Sequence, residues 1–478
     1  MAIASDRAMK LGRAAFGRSC AIMVALSVMG SAVAEPVCAQ TLAPELRLRV
    51  DAAVRDVLGQ TYSPSASIAI VRDGEIVYAA AYGRARLSPV EKATPATRYQ
   101  LASLSKSLTA QALLLLEQDG KLDLDDPVSR WIPDLSGGDK VTVRQLLQHT
   151  AGFPDHYPQT YPAGPRMKPT TPDTITKTWG HHPLLFAPGS RFRYSNLNYV
   201  IAGRIAEKVS GMPLFAFLRQ RVFVPLGMEA TIDLDDIDAS TPDLTIGYVR
   251  PALGALEPAP EEGRGWSFGA GQVVTTADDV ARWDTAFLAG RLLKPTQARE
   301  EITVPTLADG SRSSYALGLF VSQRGGRTVY YHVGQGLGFI AINRLYPAEK
   351  IAIIVLTNDS SSTAFAQIAD RLAYLIVPPT AIDAQARAAF RAVQAGRPDR
   401  VEATDDFSRW FDTARARSFA ASLGPLGEPQ SFDLRSEDSA DGITTRVYDV
   451  RAREKKLRLI LQSMADGKLE SFDVQKAE

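Results

Sequence analysis

Cysteine is almost absent from this chain, which has 2 cysteines and 5 histidines among its 478 residues. Two cysteines cannot build a disulfide framework or a cysteine-based zinc site. Neither sign of charge is in excess, since 54 lysines and arginines oppose 53 aspartates and glutamates. A basic field that attracts nucleic acid is therefore missing, and no nucleic-acid partner is expected. The hydrophobic share of 45% still allows a large core, and the length suggests two or three domains.

The first 39 residues have the composition of a secretory signal. Four basic side chains precede an uncharged, mostly apolar run over 20–34, and small residues follow at candidate cleavage sites. We predict a signal peptide over residues 1–39, cleaved after Ala34 or Ala39, and a periplasmic or secreted mature chain. No later apolar stretch is long enough to span a bilayer, so no transmembrane segment is expected after signal removal.

Local patterns along the chain predict an α+β fold. Two β-like runs flank Asp73-Gly74, a strong hairpin signal, and further short strands end in the apolar run 351–357. Helical patterns cover 103–119, 198–209 and 364–376. We therefore expect an antiparallel β-sheet flanked by helices, with a mostly helical subdomain.

Composition divides the remainder of the chain. Residues 152–189 are rich in proline, threonine and aromatics and are interpreted as loops. Pro378-Pro379 ends the main unit, so the predicted domains are 40–378 and 379–478. The second is expected to be a small α+β domain of unknown role, helical over 384–421 and with three or four strands over 430–475.

The spacing of Ser103 and Lys106 carries the strongest chemical signal. Residues three apart on a helix share a face, so the lysine amine can lie beside the serine hydroxyl. A buried lysine with a lowered pKa can then act as a base toward that hydroxyl. A helix-capping serine followed by a solvated lysine would give the same spacing, so the motif alone leaves both interpretations open.

Two further segments carry candidate site residues. Tyr194 and Asn196 precede a predicted helix, and a tyrosine beside a cation is expected to ionise more easily and to relay a proton. Later, His332-Val333-Gly334-Gln335 lies where β structure returns. A small residue on an edge strand lets a substrate approach, and the strand can donate an N–H to an oxyanion. The alternative interpretation of the first segment is an aromatic turn at the start of a helix, and that of the second is an ordinary glycine-rich start of a strand.

The order of these motifs resembles the serine beta-lactamase-like family. That family includes class C beta-lactamases, penicillin-binding DD-peptidases, D-aminopeptidases and beta-lactamase-fold esterases. The resemblance covers about 65–378 and includes the segments 119–127, 146–152 and 269–279. His149, within Leu-Leu-Gln-His-Thr, is interpreted as a structural histidine.

The resemblance implies a role for each candidate residue. Ser103 would be the acylated nucleophile and Lys106 its base, while Tyr194 would protonate the leaving group and activate the deacylating water. Asn196 would orient the substrate and Lys106. The backbone N–H groups of Ser103 and Gln335 would form the oxyanion hole. On the same strand as Gln335, Gly334 would let the substrate approach and His332 would line the pocket opposite Tyr194. No metal or cofactor is expected.

One departure from the family pattern bears on the substrate. Penicillin-handling members have Lys-Thr-Gly or Lys-Ser-Gly where this chain has His332-Val333-Gly334. A neutral histidine and an aliphatic valine cannot grip a carboxylate, so we favour carboxylic ester hydrolysis through an acyl-enzyme. D-amino-acid peptidase or amidase action, or DD-peptidase or beta-lactamase action, is the alternative. A non-catalytic protein that binds muropeptides or esters is the alternative of another class. The expected partner is a small ester or peptide substrate.

Overall fold

The protein is represented by a computed structural model that describes residues 41–157, 163–238, 240–324, 327–440 and 442–477. These residues belong to one compact unit. Within these ranges no helix is both long enough and apolar enough to cross a membrane. The predicted signal peptide lies outside the described residues, and the predicted domain boundary after residue 378 stays a prediction.

The helices follow the predicted pattern closely. The predicted helix 364–376 is confirmed. The predicted helix 103–119 is present as a 3-10 turn, Ala102–Leu104, followed by the helix α2. The predicted helix 198–209 begins two residues earlier, at Asn196. The helices are α1 Pro44–Thr61, α2 Ser105–Gln118, α3 Val143–Leu147, α4 Ala163–Arg166, α5 Pro172–Trp179, α6 Asn196–Ser210, α7 Leu214–Leu218, α8 Val224–Leu226, α9 Ala277–Leu288, α10 Pro295–Glu301, α11 Ala364–Ile376, α12 Ala381–Gln394, α13 Asp405–Trp410 and α14 Thr413–Leu423.

The interpretation of residues 152–189 as loops is wrong in part, because α4 and α5 lie there. Thr171 caps α5 by accepting a hydrogen bond from the Thr174 N–H at 3.1 Å, and Pro172 occupies its first turn. Ile175 is buried against the core. The threonine–proline start is a helix signal in its own right, which the loop-like composition of the whole segment obscured.

A seven-stranded antiparallel sheet forms the main layer, in the order β3-β2-β1-β12-β11-β10-β9. The predicted hairpin at Asp73-Gly74 and the predicted strand 351–357 are both confirmed. The strands are β1 Ser65–Arg72, β2 Glu75–Leu87, β3 Val90–Lys92, β4 Tyr99–Gln100, β5 Ile232–Asp233, β6 Tyr248–Val249, β7 Glu257–Pro258, β8 Val273–Thr275, β9 Phe320–Arg324, β10 Arg327–Gly336, β11 Phe339–Tyr346, β12 Ile351–Thr357, β13 Ser431–Ala440, β14 Ile443–Ala452, β15 Lys455–Met464 and β16 Leu469–Lys476.

Both faces of the main sheet are buried. On β12, Ile353 and Val355 join the apolar cluster formed with α1 and α11, while Ile354 and Leu356 join the larger cluster that includes α2. Because successive side chains of a strand point to opposite faces, a strand covered on both sides needs the continuous apolar run that β12 has. The predicted fold, an antiparallel sheet flanked by helices, is confirmed.

The chain ends in a second set of elements with an apolar core of its own. Four strands pair in the order β13-β14-β15-β16, and the helices α12 to α14 precede them. Phe390 of α12 packs with Tyr448, Leu459 and Phe472 of the sheet. The predicted helical segment and the predicted strands of this region are thus confirmed.

The close approach of β10 to the turn Ala102–Leu104 fixes where the candidate site lies. A Cβ atom added at Gly334 would lie 1.9 Å from the carbonyl oxygen of Leu101 and 3.1 Å from the Leu104 nitrogen. Both neighbours are backbone atoms, which cannot rotate away as a side chain can. Only glycine therefore lets the strand lie this close to the turn.

We expect Gly334→Ala to lower the free energy of unfolding by about 1–3 kcal/mol, the usual cost of forcing an extra methyl group into a packed interior. Urea denaturation measures the change. The matched control is Gly59→Ala in α1, where the added Cβ meets nothing within 4 Å; it should be neutral or stabilising by about 0.5–1 kcal/mol. Equal unfolding free energies for the two variants would contradict the steric argument.

Candidate active site

Ser103 occupies a tight turn at the start of α2. The turn is a 3-10 helix over Ala102–Leu104, and Ala102 has φ of +47°, in the left-handed region. Such a conformation is uncommon for a residue with a side chain and is often found at functional sites. Ser103 is partly exposed and lines a cavity, while the residues on either side of it are buried. The turn therefore presents a single hydroxyl from an otherwise packed segment.

Lys106 is fully buried beneath this hydroxyl. Its Nζ donates hydrogen bonds to three oxygens: Ser103 Oγ at 3.0 Å, Asn196 Oδ1 at 2.8 Å and the Ala270 carbonyl at 2.9 Å. All three acceptors are uncharged, so burial dominates and lowers the pKa of Lys106 to about 7. Near neutral pH a large fraction of these side chains carries a free amine, which can accept the Ser103 proton.

Tyr194 lies on the other side of the serine. Its hydroxyl hydrogen-bonds with Ser103, and its ring centroid is 5.0 Å from Lys106 Nζ. Burial raises the pKa of Tyr194 well above its usual range, although the Ser103 hydrogen bond acts in the opposite direction. The expectation that the neighbouring cation eases its ionisation is therefore wrong. Tyr194 is a neutral phenol, which can donate a proton.

Asn196 connects the lysine to a carboxylate that the sequence analysis missed. Its Oδ1 accepts from Lys106, while its backbone N–H and Nδ2 donate to the Asp155 carboxylate at 3.0 and 3.2 Å. Burial raises the pKa of Asp155, and the hydrogen bonds from Asn196 and the charge of Lys106 oppose that rise. Asp155 in turn favours the charged form of Lys106. Its only sequence signal was its place in a segment interpreted as loops.

The strand β10 contributes Val333 and Gln335 to the cavity wall. The prediction that His332 lines the pocket is wrong, because the described lining does not include it, and Gly334 lies against the backbone of the Ser103 turn and not against the cavity. The His332 ring is 3% exposed, with Nε2 2.9 Å from the Tyr315 hydroxyl and Nδ1 2.7 Å from the Val333 carbonyl. We assign the proton to Nδ1, since a carbonyl can only accept. Burial and the nearby Lys106 lower the pKa of His332 to about 3, so it is neutral.

His149 supports the tyrosine from behind. It is fully buried, its ring centroid lies 4.2 Å from that of Tyr194, and its Nδ1 is 3.3 Å from the backbone nitrogen of Ser195 and from Asn198 Nδ2. Burial keeps its pKa well below the usual value. These contacts fix the orientation of the Tyr194 ring and give His149 no route to a substrate.

The cavity above Ser103 has a volume of about 650 Å³, and its wall combines aromatic side chains, among them Phe192, Phe320 and Trp266, with polar ones. Arg166 also lines it, and this guanidinium is buried in contact with the Glu262 carboxylate. The cation is therefore neutralised within the wall. Among the described ranges, no group of three histidine, cysteine, aspartate or glutamate side chains could hold a metal ion.

Comparison with known proteins identifies the family. A family model described as Beta-lactamase matches residues 50–377, more than half of the chain. The putative penicillin-binding protein PbpX of Bacillus subtilis (strain 168) is 27% identical over 313 residues, which cover 65% of this chain and 75% of that protein. Protein flp of Staphylococcus aureus (strain MRSA252) is 27% identical over 320 residues, 66% of this chain, and the match spans 63% of flp, slightly under two thirds.

A solved structure agrees with the family model and with the two relatives. The D-amino acid amidase from Ochrobactrum anthropi SV3, complexed with L-phenylalanine amide, matches with a TM-score of 0.60 and 26% identity, over 70% of this chain and 96% of that one. The predicted family and fold class are thus confirmed. This chain belongs to the Beta-lactamase family and is a serine hydrolase of that fold.

Proposed function

We propose that this chain is an exported carboxylic ester hydrolase that works through an acyl-enzyme on Ser103. The observation that carries the proposal is the buried Lys106, whose Nζ lies 3.0 Å from Ser103 Oγ and whose pKa is about 7. A serine hydroxyl beside a free amine can transfer its proton as it attacks a carbonyl carbon.

In the acylation step, Ser103 Oγ attacks the ester carbonyl and its proton passes to Lys106. The negative charge that develops on the carbonyl oxygen is stabilised by the backbone N–H groups of Ser103 and Gln335, each such donor being worth roughly 10²–10³ in rate. The proton then reaches the leaving alcohol through the neutral phenol of Tyr194, which hydrogen-bonds with Ser103. The alcohol departs and leaves an ester on Ser103.

Deacylation reverses these roles. Water takes the place of the alcohol and gives a proton to Lys106 through Tyr194 as it attacks the acyl carbon. The bond between the acyl carbon and Ser103 Oγ then breaks, the proton returns to Ser103 Oγ, and the carboxylic acid leaves. Asn196 takes part by holding Lys106 Nζ at 2.8 Å in both steps. Asp155 does not reach the cavity and acts as a positioning residue through Asn196.

The charge of the cavity supports an ester rather than a penicillin as substrate. His332 is neutral and buried, Val333 is aliphatic, and Arg166 is paired with Glu262. Among the described residues that line the cavity, the only arginine or lysine is thus Arg166, whose charge is opposed by Glu262. An uncharged acyl group can pack against the aromatic side chains of the wall and needs no cation to bind it.

Amide hydrolysis is the second candidate. It is favoured by the likeness to the D-amino acid amidase at 26% identity. The same acyl-enzyme steps apply, with an amine as the leaving group. An amine is a poorer leaving group than an alcohol, so this reaction depends more heavily on the proton that Tyr194 donates.

We expect Ser103→Ala to lower the hydrolysis of a short-chain nitrophenyl ester by roughly 10³-fold or more, because the nucleophile is removed. Initial rates on this ester, on D- and L-amino-acid nitroanilides and on a chromogenic cephalosporin provide the test. The ester should give the largest kcat/KM and the cephalosporin the smallest.

The exposed Ser408 in α13 supplies the control, since Ser408→Ala should leave every rate unchanged. Nitroanilide rates above the ester rates would favour the amidase, and fast cephalosporin turnover would favour a beta-lactamase. Ester turnover that survives in Ser103→Ala would exclude the serine mechanism altogether.

We expect kcat/KM to rise with pH through about 7, since below that value Lys106 is an ammonium and cannot accept a proton. Asp155→Asn removes a negative charge that favours the ammonium, so the midpoint of this rise should move to lower pH. The pH profile of kcat/KM measures both. In the control Asp139→Asn, an exposed carboxylate is changed and the midpoint should not move. A midpoint that stays fixed or rises in Asp155→Asn would contradict the assignment of Lys106 as the base.

Export is supported by the composition of residues 1–39. Expression of the whole chain in a Gram-negative host should yield mature protein in the periplasm or medium, beginning at Glu35 or Gln40 by N-terminal sequencing. Leu26→Arg places a charge in the apolar run and should retain the uncleaved chain in the cytoplasm. Cleaved, exported protein from both versions, or uncleaved cytoplasmic protein from the unmodified chain, would exclude this signal.

A further inference from the structure

A second cavity, of about 420 Å³, lies between the main sheet and the C-terminal elements. Residues from β9, β10, β11 and α11 line one side, and residues from α12 and β13 line the other. Ser103 is not among its lining residues, so it is separate from the active-site cavity. We call it the arginine cavity, after its lining arginines, which are Arg324, Arg327, Arg344, Arg387 and Arg435.

Three of these arginines are paired with carboxylates. Arg344 contacts Asp370 at 2.5 Å, Arg327 contacts Glu349 at 3.2 Å, and Arg435 contacts Asp449 at 2.6 Å. Within the described part of the chain, Arg387 and Arg324 have no ion pair within 4 Å. The cavity therefore holds two guanidinium groups whose charge no neighbouring carboxylate contacts directly.

Carboxylates also face this space and limit its positive charge. Asp383 lies one helical turn before Arg387 on α12, and Asp433 lies on β13. Burial and the neighbouring Asp370 raise the pKa of Asp433, while Arg344, Arg324 and Arg435 oppose that rise. The five arginines thus meet five carboxylates, namely the three aspartates of the lining and the ion-pair partners Glu349 and Asp449. Any ligand must therefore be held by individual unpaired donors and not by an excess of positive charge.

Buried polar atoms without partners are concentrated here. Arg344 Nε, Arg387 Nε and Ser322 Oγ are each buried with no hydrogen-bond partner in the described structure, and each belongs to a residue that lines the arginine cavity. A buried donor left unpaired costs about 1–3 kcal/mol. Asp383 Oδ1 is the corresponding unpaired acceptor. Donors outnumber acceptors, which matches a ligand that accepts hydrogen bonds.

We propose that the arginine cavity binds an oxyanion, the phosphate or carboxylate group of a small ligand, through Arg387, Arg344 and Ser322. Guanidinium groups are the usual partners of such groups, because their fork of donors matches two oxygens at once. The ligand would contact β9, β11 and α12 together. It would therefore join the main sheet to the C-terminal elements and stabilise the folded chain, by an amount that rises with the logarithm of the ligand concentration once that concentration exceeds the dissociation constant.

The experiment titrates the purified protein with inorganic phosphate and, separately, with succinate at constant ionic strength. Isothermal titration calorimetry and the melting temperature are the readouts. We expect saturable binding of at least one of these ions by calorimetry, and a melting temperature that rises with the logarithm of that ion's concentration above its dissociation constant. The ion that binds more tightly identifies the phosphate or the carboxylate as the group preferred.

Arg387→Gln is the test variant and should raise the dissociation constant by about tenfold or more, the loss expected for a charge-assisted hydrogen bond. The matched control is Arg391→Gln, one turn further along α12, where the arginine pairs with Glu428 and does not line the cavity. Its binding should equal that of the unmodified protein. Ester or amide turnover should be the same in the unmodified protein, Arg387→Gln and Arg391→Gln, because neither arginine lines the active-site cavity.

Ser322→Ala removes a hydroxyl without changing charge and gives a second test if Arg387→Gln does not fold; a two- to fivefold weaker binding is expected. The proposal would be overturned if neither ion bound saturably to the unmodified protein. Equal affinities in Arg387→Gln, Ser322→Ala and Arg391→Gln would also overturn it, since the ions would then bind elsewhere on the surface.

Discussion

The burial of one lysine amine is the constraint on which the active site depends. Burial lowers the pKa of Lys106 to about 7, and the three oxygens that accept from its amine are uncharged and do not offset that effect. A carboxylate in direct contact would keep the amine charged and unable to act as a base. Asp155 is instead separated from the lysine by Asn196, whose amide accepts from one and donates to the other. The negative charge is thus near enough to moderate the cost of burying an ammonium and far enough away to leave a useful base.

Much of the surrounding fold follows from the need to keep this amine dry. The helix α2 is buried along nearly its whole length, which explains the run Leu113–Leu116 at its centre. The Ala270 carbonyl and the first residue of α6 approach the lysine from other sides. Gly334 lets β10 close against the turn that carries the serine. The result is a lysine amine that is fully buried directly beneath a serine hydroxyl that stays partly exposed.

The sequence predicted the parts of this arrangement that have local signals. The hairpin at Asp73-Gly74, the strand 351–357 and the helix 364–376 are set by turn chemistry and side-chain period, and the structure has them where they were expected. Asp155 could not be found in this way, because its partner Asn196 is 41 residues further along the chain and only tertiary folding brings the two together. Protonation states were equally out of reach: burial, not the neighbouring cation, sets the pKa of Tyr194.

The inward turn of His332 has a consequence for the substrate that its residue type alone does not convey. A histidine at the surface of the cavity could become a cation in mildly acidic solution and attract a carboxylate. Here the ring bonds to Tyr315 and to the Val333 carbonyl, and burial lowers its pKa to about 3, so no ordinary pH gives it a charge. Among the described residues that line the cavity, the only arginine or lysine is Arg166, which is paired with Glu262, and an ammonium at the buried Lys106 is the inactive form of the base. Recognition of a carboxylate by a charged Lys106 and catalysis by the free amine of Lys106 are therefore mutually exclusive.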